Sequence, residues 1–175
     1  KFFEGKKTLL MESFYRYMRK KYNLLMDPMD DSQPLTGKWN YDHENRGSIK
    51  AKHDIEAPFL YKKDVESLIS RIDNQGVSYI GNIEADDFIW PTTPDESREL
   101  LSFFLTSCLP VFGKYQDAMV ERSWSVYHAR ISFSMNSKML HPLEVVKSAI
   151  AHWEDNQDEI TIAQVEGFLR QIIGW

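Results

Sequence analysis

The sequence predicts a mainly α protein. Apolar residues recur at three- and four-residue spacing in several separate stretches, two stretches open on helix-start signatures, and strand-like runs are confined to short pieces such as Val77 to Ile80. With 42% hydrophobic and 27% charged residues the chain has the balance of an ordinary globular protein, so its helices carry enough apolar surface to share a core. Its 175 residues allow one domain or parts of two.

Residues 8 to 21 read as an amphipathic helix. Leu10, Phe14, Tyr17 and Met18 share a face, and Arg16, Arg19, Lys20 and Lys21 collect at the C-terminal end, where cations oppose the macrodipole; the expectation is a solvated basic face. From Asp27 to about Pro58 the periodicity dissolves into Asp, Pro, Gly, Asn and Lys, which marks a long connection. Within it, residues 37 to 46 (GKWNYDHENR) crowd aromatic and charged side chains and should lie ordered against a domain.

Asp64 can cap a helix holding Val65, Leu68, Ile69 and Ile72 that ends near Gly76. Thr93 is the N-cap of the next, with Pro94 at the first helical position and Glu96 reaching back to complete a capping box. That helix buries Leu100, Leu101, Phe104 and Leu105, and Pro110 should end it. A loop at Gly113 follows, then helices over 115–120, 125–137 and 142–154, the last with Pro142 in its first turn. The final helix starts at Thr161, where Gln164 offers a second capping box, and presents Ile162, Val165, Phe168, Leu169 and Ile172.

A net charge of -5 gives no global field that would draw in nucleic acid, although a basic face can sit inside an acidic total. Cys108 is the single cysteine, which excludes an internal disulfide or a cysteine metal cluster; its leucine neighbours suit a buried thiol, and a reducing compartment is the simpler setting. No run approaches the ~18 apolar residues of a membrane span and the start carries no signal-peptide block, so a cytoplasmic location without membrane attachment is expected. Phosphate-loop, dinucleotide, nucleophile-elbow and zinc-protease motifs are absent, and the five histidines are scattered, so no metal site is expected.

One stretch carries chemistry by itself. Tyr115, then His128, Ala129, Arg130, Ile131 and Ser132 at a predicted helix start, combine hydroxyls, a guanidinium and free backbone N–H groups, the donors a phosphate needs. The same residues can also simply pack or pair on a surface.

Read in order, five segments resemble the deoxyribodipyrimidine photolyase-related family, the iron-sulfur bacterial cryptochromes and photolyases. They are residues 7–16 (KTLLMESFYR), 37–46 (GKWNYDHENR), 88–91 (FIWP), 112–119 (FGKYQDAM) and 165–175 (VEGFLRQIIGW). Each is weak alone; together, spread from end to end in the family's order, they are specific. The resemblance implies an N-terminal α/β antenna domain, a connector and a helical FAD-binding domain. On that reading 1–24 hold the last antenna-domain helix, 25–63 the connector and 64–175 the first half of the helical domain, and the chain is an internal fragment.

The resemblance also implies site residues. Tyr115 matches the family tyrosine, and His128-Ala129-Arg130-Ile131-Ser132 matches a Thr-Ser-Arg-Leu-Ser motif, that hold the FAD phosphates and ribityl chain; Arg130 and Ser132 are identical, while His128 and Ala129 replace two hydroxyl residues. Trp175 looks like the tryptophan lining the lesion pocket, with Gln171 one turn earlier. No metal ligand is expected here, since a 4Fe-4S cluster and the antenna chromophore would be held by parts of a full-length protein outside these residues. The implied activity is a lyase's, the repair of ultraviolet pyrimidine photoproducts in DNA by electron transfer from photoexcited reduced flavin, with UV-damaged DNA as partner. The fragment alone would be inactive and prone to self-association through exposed core surface. The same residues are also compatible with a non-repair cryptochrome photoreceptor and with a helical interaction module without flavin.

Overall fold

The structure is a computed structural model and describes residues 2–174. Among the described residues seven α-helices follow one another: α1 (Met11–Tyr22), α2 (Glu66–Asn74), α3 (Pro94–Phe103), α4 (Leu109–Tyr115), α5 (Ser132–Asn136), α6 (Pro142–Asp155) and α7 (Ile162–Ile173). Among the described residues there is no strand ladder, only isolated bridges such as Lys63 with Phe88, so the class is mainly α. The predicted extended piece at 77–80 finds no pairing partner. Val77 and Tyr79 are exposed there and Ile80 is fully so, leaving β-propensity nothing to pack against.

α7 is the axis of the core. Ala163, Val165, Phe168, Leu169 and Ile173 are buried on it, and α1, α4 and α6 all pack against it. Phe104 and Phe112 bring their rings to 4.5 Å and 5.6 Å from that of Phe168, tilted and edge-on, which ties α4 and the turn before it to α7.

The capping box at α3 forms as expected: the Glu96 N–H donates to Thr93 Oγ1 at 3.2 Å and the Thr93 N–H to Glu96 Oε2 at 3.2 Å. Pro110, however, does not end this helical run. A five-residue π-helical turn, Phe104–Cys108, sits between α3 and α4, and Pro110 falls in the first turn of α4. The Leu109 N–H reaches back five residues to Phe104 O, and the wider turn gives the proline ring room in the continuing helix.

Gly113 is likewise inside α4, buried, instead of in a loop. A methyl group there would lie 2.9 Å from Ala163 O and 2.9 Å from Gln164 Cα, so glycine is what lets α4 approach α7. That approach also undoes the second capping box: the Gln164 amide oxygen accepts from the Lys114 N–H at 3.1 Å, and Thr161 makes no side-chain cap.

The helices predicted over 115–120 and 125–137 shrink to the end of α4 and to α5. Val126 and Arg130 have φ of 46° and 53°, the left-handed region that stops a helix, and the Ser123 hydroxyl competes locally by accepting from the Val126 N–H. Both positions are held there by tertiary contacts, since Val126 is buried and Arg130 is tied to a distant carbonyl. α6 matches its prediction, with Pro142 in its first turn. α2 also forms, with the Asp64 carboxylate accepting from the Glu66 N–H, but none of its residues is fully buried.

Not all of the basic end of α1 is solvated. Arg19 is 1% exposed, and its guanidinium donates to Leu24 O, Leu25 O and Trp39 O, three carbonyls of the chain that leaves the helix. Asn23 and Leu25, both with positive φ, shape the turn that presents the Leu24 and Leu25 carbonyls to it. The segment 37–46 is ordered against the helices as expected. Tyr41 and Asn45 are buried, and the fully buried Glu166 of α7 accepts from the Tyr41 N–H at 3.1 Å and from the Tyr15 hydroxyl at 2.8 Å, while Arg170 pairs with Asp42 at 3.0 Å. Burial pushes the Glu166 carboxyl above the usual carboxylate range, against the pull of Tyr15, Arg170 and the Tyr41 N–H.

Candidate functional site

A cleft of about 400 Å³ opens where the 128–132 segment crosses α4 and α7. Its apolar wall is made by Phe112, Ile131, Met135, Phe168 and Ile172, and its polar groups come from Gln116, Asp117, His128, Arg130, Ser132 and Gln171. Phe112 and Gln116 lie one turn apart around the end of α4, as do Phe168, Gln171 and Ile172 on α7, so the close α4–α7 approach across Gly113 sets the spacing of two walls.

All five residues of the 128–132 segment and Gln171, more than thirty positions away, therefore meet at one cleft. Trp175 lies outside the described residues. Tyr115 lines a different cleft, beside Lys50, Lys52, His53 and Lys114, with its ring stacked on Tyr127 at 5.7 Å.

The individual side chains are unequal. Arg130 is half-buried, which lowers its pKa; its Nη2 donates to Phe59 O at 2.6 Å and its guanidinium lies 5.4 Å from the Trp124 ring. It lines the cleft while its hydrogen bond holds the segment around Phe59. His128 keeps an exposed edge at the cleft but is partly desolvated beside Phe112, which lowers its pKa against the opposing effect of Asp117. Ser132 opens α5 and is exposed, and Ile131 is buried beneath it.

Gln116 is a cleft residue that sequence reasoning misses. It is buried, its Oε1 has no hydrogen-bond partner, and it lines the cleft. A buried amide oxygen without a partner carries a desolvation cost that a donor from a ligand or water would relieve. The signal was present as the Phe112/Gln116 four-residue spacing, but a loop assigned at Gly113 placed the two on different elements.

The donor set fits part of FAD. An apolar wall of two phenylalanines and three aliphatic side chains suits a flat ring, while Ser132, Gln116, Gln171 and the turn at 128–132 offer hydrogen bonds to a polar chain. The Asp117 carboxylate disfavours a phosphate next to itself, so a diphosphate would lie toward Arg130 and Ser132. Cys108 is buried, which pushes its thiol up to about 11 and makes it an inert core residue. Among the described residues, no helix is long and apolar enough to cross a membrane.

Comparison with known proteins identifies the family. The family described as deoxyribodipyrimidine photo-lyase-related protein matches residues 1–88. The chain is also similar to a protein named (6-4) photolyase from Agrobacterium fabrum (strain C58 / ATCC 33970), at 36% identity over 178 aligned residues that cover 98% of this chain and 33% of the relative. The chain belongs to the deoxyribodipyrimidine photolyase-related family, and it spans about one third of the length of that relative.

Proposed function

We propose that this chain is part of a light-dependent, FAD-containing DNA photolyase that repairs ultraviolet pyrimidine photoproducts, and that the cleft between α4, α7 and residues 128–132 is part of its flavin pocket. The observation that carries this reading is the convergence of the whole 128–132 segment with Gln171 at one cleft with an apolar wall. Family membership supports the photolyase class, and the relative's name supports repair over signalling. When bound, reduced FAD would supply the electron that light drives onto the photoproduct.

The chain's own residues bind and position. Ser132 and the 128–132 backbone would hydrogen-bond the ribityl-diphosphate portion, Gln116 and Gln171 would donate to or accept from groups crossing the cleft, and Phe112, Phe168 and Ile172 would exclude water from the ring. Arg130 would act partly through the connector, because its hydrogen bond to Phe59 O fixes the segment it belongs to. Tyr115 and Trp175, matched to the family pattern by the resemblance, would complete a larger pocket from outside this cleft. On the same reading 1–24 belong to an antenna domain, 25–63 to the connector and 64–175 to the helical FAD domain. An iron-sulfur cluster and an antenna chromophore belong to the full-length protein, whose partner is UV-damaged DNA and whose location is cytoplasmic.

The test is the visible absorption spectrum of the purified full-length protein beside its Arg130→Ala and Ser132→Ala variants. Flavin bands that weaken in both variants are expected; a colourless full-length protein that cannot be reconstituted with FAD would refute the reading and return the cleft to a packing defect of a helical interaction module.

A further inference from the structure

Three buried amide atoms beside the middle of α7 have no hydrogen-bond partner among the described residues: Nδ2 and Oδ1 of Asn45, and Oε1 of Gln116. Asn45 belongs to the 37–46 segment and is 1% exposed, whereas Gln116 follows the end of α4. The two amides meet over Gly167. A methyl group added there would lie 2.8 Å from Asn45 Nδ2 and 3.2 Å from Gln116 Oε1, so any side chain at 167 would displace one amide or the other. A buried amide atom without a partner carries a desolvation cost, and here a donor and an acceptor carry it side by side.

Asn45 is held in place from both sides of its own segment. Before it, the Tyr41 N–H donates to Glu166 at 3.1 Å and Asp42 pairs with Arg170 at 3.0 Å, both on α7. After it, the Gly47 N–H donates to Lys114 O of α4 at 2.8 Å, and the Asn45 N–H itself is taken by Asp42 O at 3.1 Å. The backbone therefore fixes where the Asn45 amide sits, and none of these bonds uses the amide. Gln116 has a different second side: it lines the 128–132 cleft. With Oε1 buried toward Gly167, the Nε2 edge of the same planar amide is the one left for the cleft.

We infer that Asn45 is a positioning residue for the 128–132 cleft: its Nδ2 donates to Gln116 Oε1, directly or through one shared water, and so commits Gln116 to the cleft as a hydrogen-bond donor. An amide without a partner for its oxygen can turn over and offer either edge, whereas one engaged at Oε1 offers only N–H. The ligand group opposite Gln116 must then be an acceptor, an oxygen or a ring nitrogen. Gly167 is part of the device, because only a residue without a side chain lets the 37–46 segment reach across α7 to the end of α4. The coupling of the two amides stands on its own, and the choice of FAD as the ligand rests on the proposed function.

The experiment uses the full-length protein and its Asn45→Leu, Gln116→Met and doubly substituted variants, in which apolar groups of similar shape replace one amide, the other, or both. Urea denaturation needs no ligand. Either single change leaves a buried amide atom without its partner while the double change removes both. The double variant should therefore lose less folding equilibrium constant than the product of the single losses, by roughly fivefold or more. The side-chain NH2 resonance of Gln116, identified by its absence in Gln116→Met after selective isotopic labelling of glutamine, should shift in Asn45→Leu with or without FAD. FAD affinity, read by reconstitution of the apoprotein, should fall roughly three- to tenfold in Asn45→Leu, the scale of one hydrogen bond. It should fall no further when Asn45→Leu is added to Gln116→Met. Additive stability losses, or a Gln116 resonance that does not move, overturn the inference. So does an FAD affinity that Asn45→Leu leaves unchanged, or lowers by the same factor whether or not Gln116 is present, since Asn45 then supports only the fold. A full-length protein that takes up no FAD refutes the flavin reading instead, and the stability cycle and the resonance then decide the positioning role by themselves.

Discussion

Replacing Gly113 by alanine tests how α4 and α7 set the cleft. Two effects oppose each other. Alanine is the better helix former, by roughly 0.8–1 kcal/mol in a helix interior, so an exposed glycine at this point would stabilise on substitution. Here the new methyl would meet Ala163 O, Gln164 Cα and Gln164 Oε1, each at 2.9 Å, a distance real Cβ atoms do not tolerate. The Gln164 side chain can swing away at the expense of its bond to the Lys114 N–H, but Ala163 O and Gln164 Cα are backbone in the first turn of α7. Relief therefore requires the helices to separate, and overpacking of this kind costs about 1–3 kcal/mol. With the lost hydrogen bond at about 1 kcal/mol and the propensity gain subtracted, the variant should be less stable by roughly 1–3 kcal/mol. Urea denaturation reads this as a lower midpoint with an unchanged slope. Because Phe112 and Gln116 line the same cleft as Phe168 and Gln171, the flavin content that the proposed function assigns to the full-length protein should fall in parallel. A Gly113→Ala protein as stable as wild type or more so would refute the close-approach argument.

Three further outcomes follow from buried or paired groups. Glu166→Ala removes the acceptor of the Tyr15 hydroxyl and the Tyr41 N–H and leaves Arg170 with Asp42 alone; breaking a buried polar network of this kind costs roughly 3–5 kcal/mol, measurable by chemical denaturation. Arg19→Met strands three inward carbonyls, so stability should drop by at least about 2 kcal/mol, and limited proteolysis should cut the 23–39 segment sooner than in wild type. Lys63, with help from the Thr92 N–H and hydroxyl, holds the Glu96 carboxyl down to about 2 from an ordinary 4.5. A depressed carboxylate contributes stability that is present above its unfolded value and is lost as pH falls through the folded one. The stability–pH curve should thus steepen between about 4.5 and about 2, and Glu96→Gln should flatten that limb.

Local signals carried α1, α3, α6 and α7 because each rests on several turns of apolar spacing or on a cap whose partners lie three residues apart. The 128–132 segment was legible as a candidate for the same reason, its residues being consecutive. Elements failed where a distant contact outweighed local preference. Pro110 signals a stop because proline breaks an α-ladder, yet a π-turn upstream absorbs it. Val126 carries a positive φ that no propensity would assign to a β-branched residue, and burial holds it there. Thr161 and Gln164 had the spacing of a capping box, but the Gln164 amide turned to α4.

The sequence by itself determined the helical class, the order of most of the long helices and, through five ordered segments, membership of the photolyase-related family. Periodicity and caps act within a few residues of one another, so they survive in a linear string. The tertiary structure decided which of those helices touch and what their contact encloses: the Gly113 approach that forms the first cleft, the unpartnered Gln116 inside it, the buried Arg19 and Glu166 that fasten residues 24–41, and the gathering of Lys50, Lys52 and Lys114 around the cleft beside Tyr115. Each depends on atoms brought within a few ångströms from positions tens of residues apart, and that separation is set by packing, which a spacing rule does not contain.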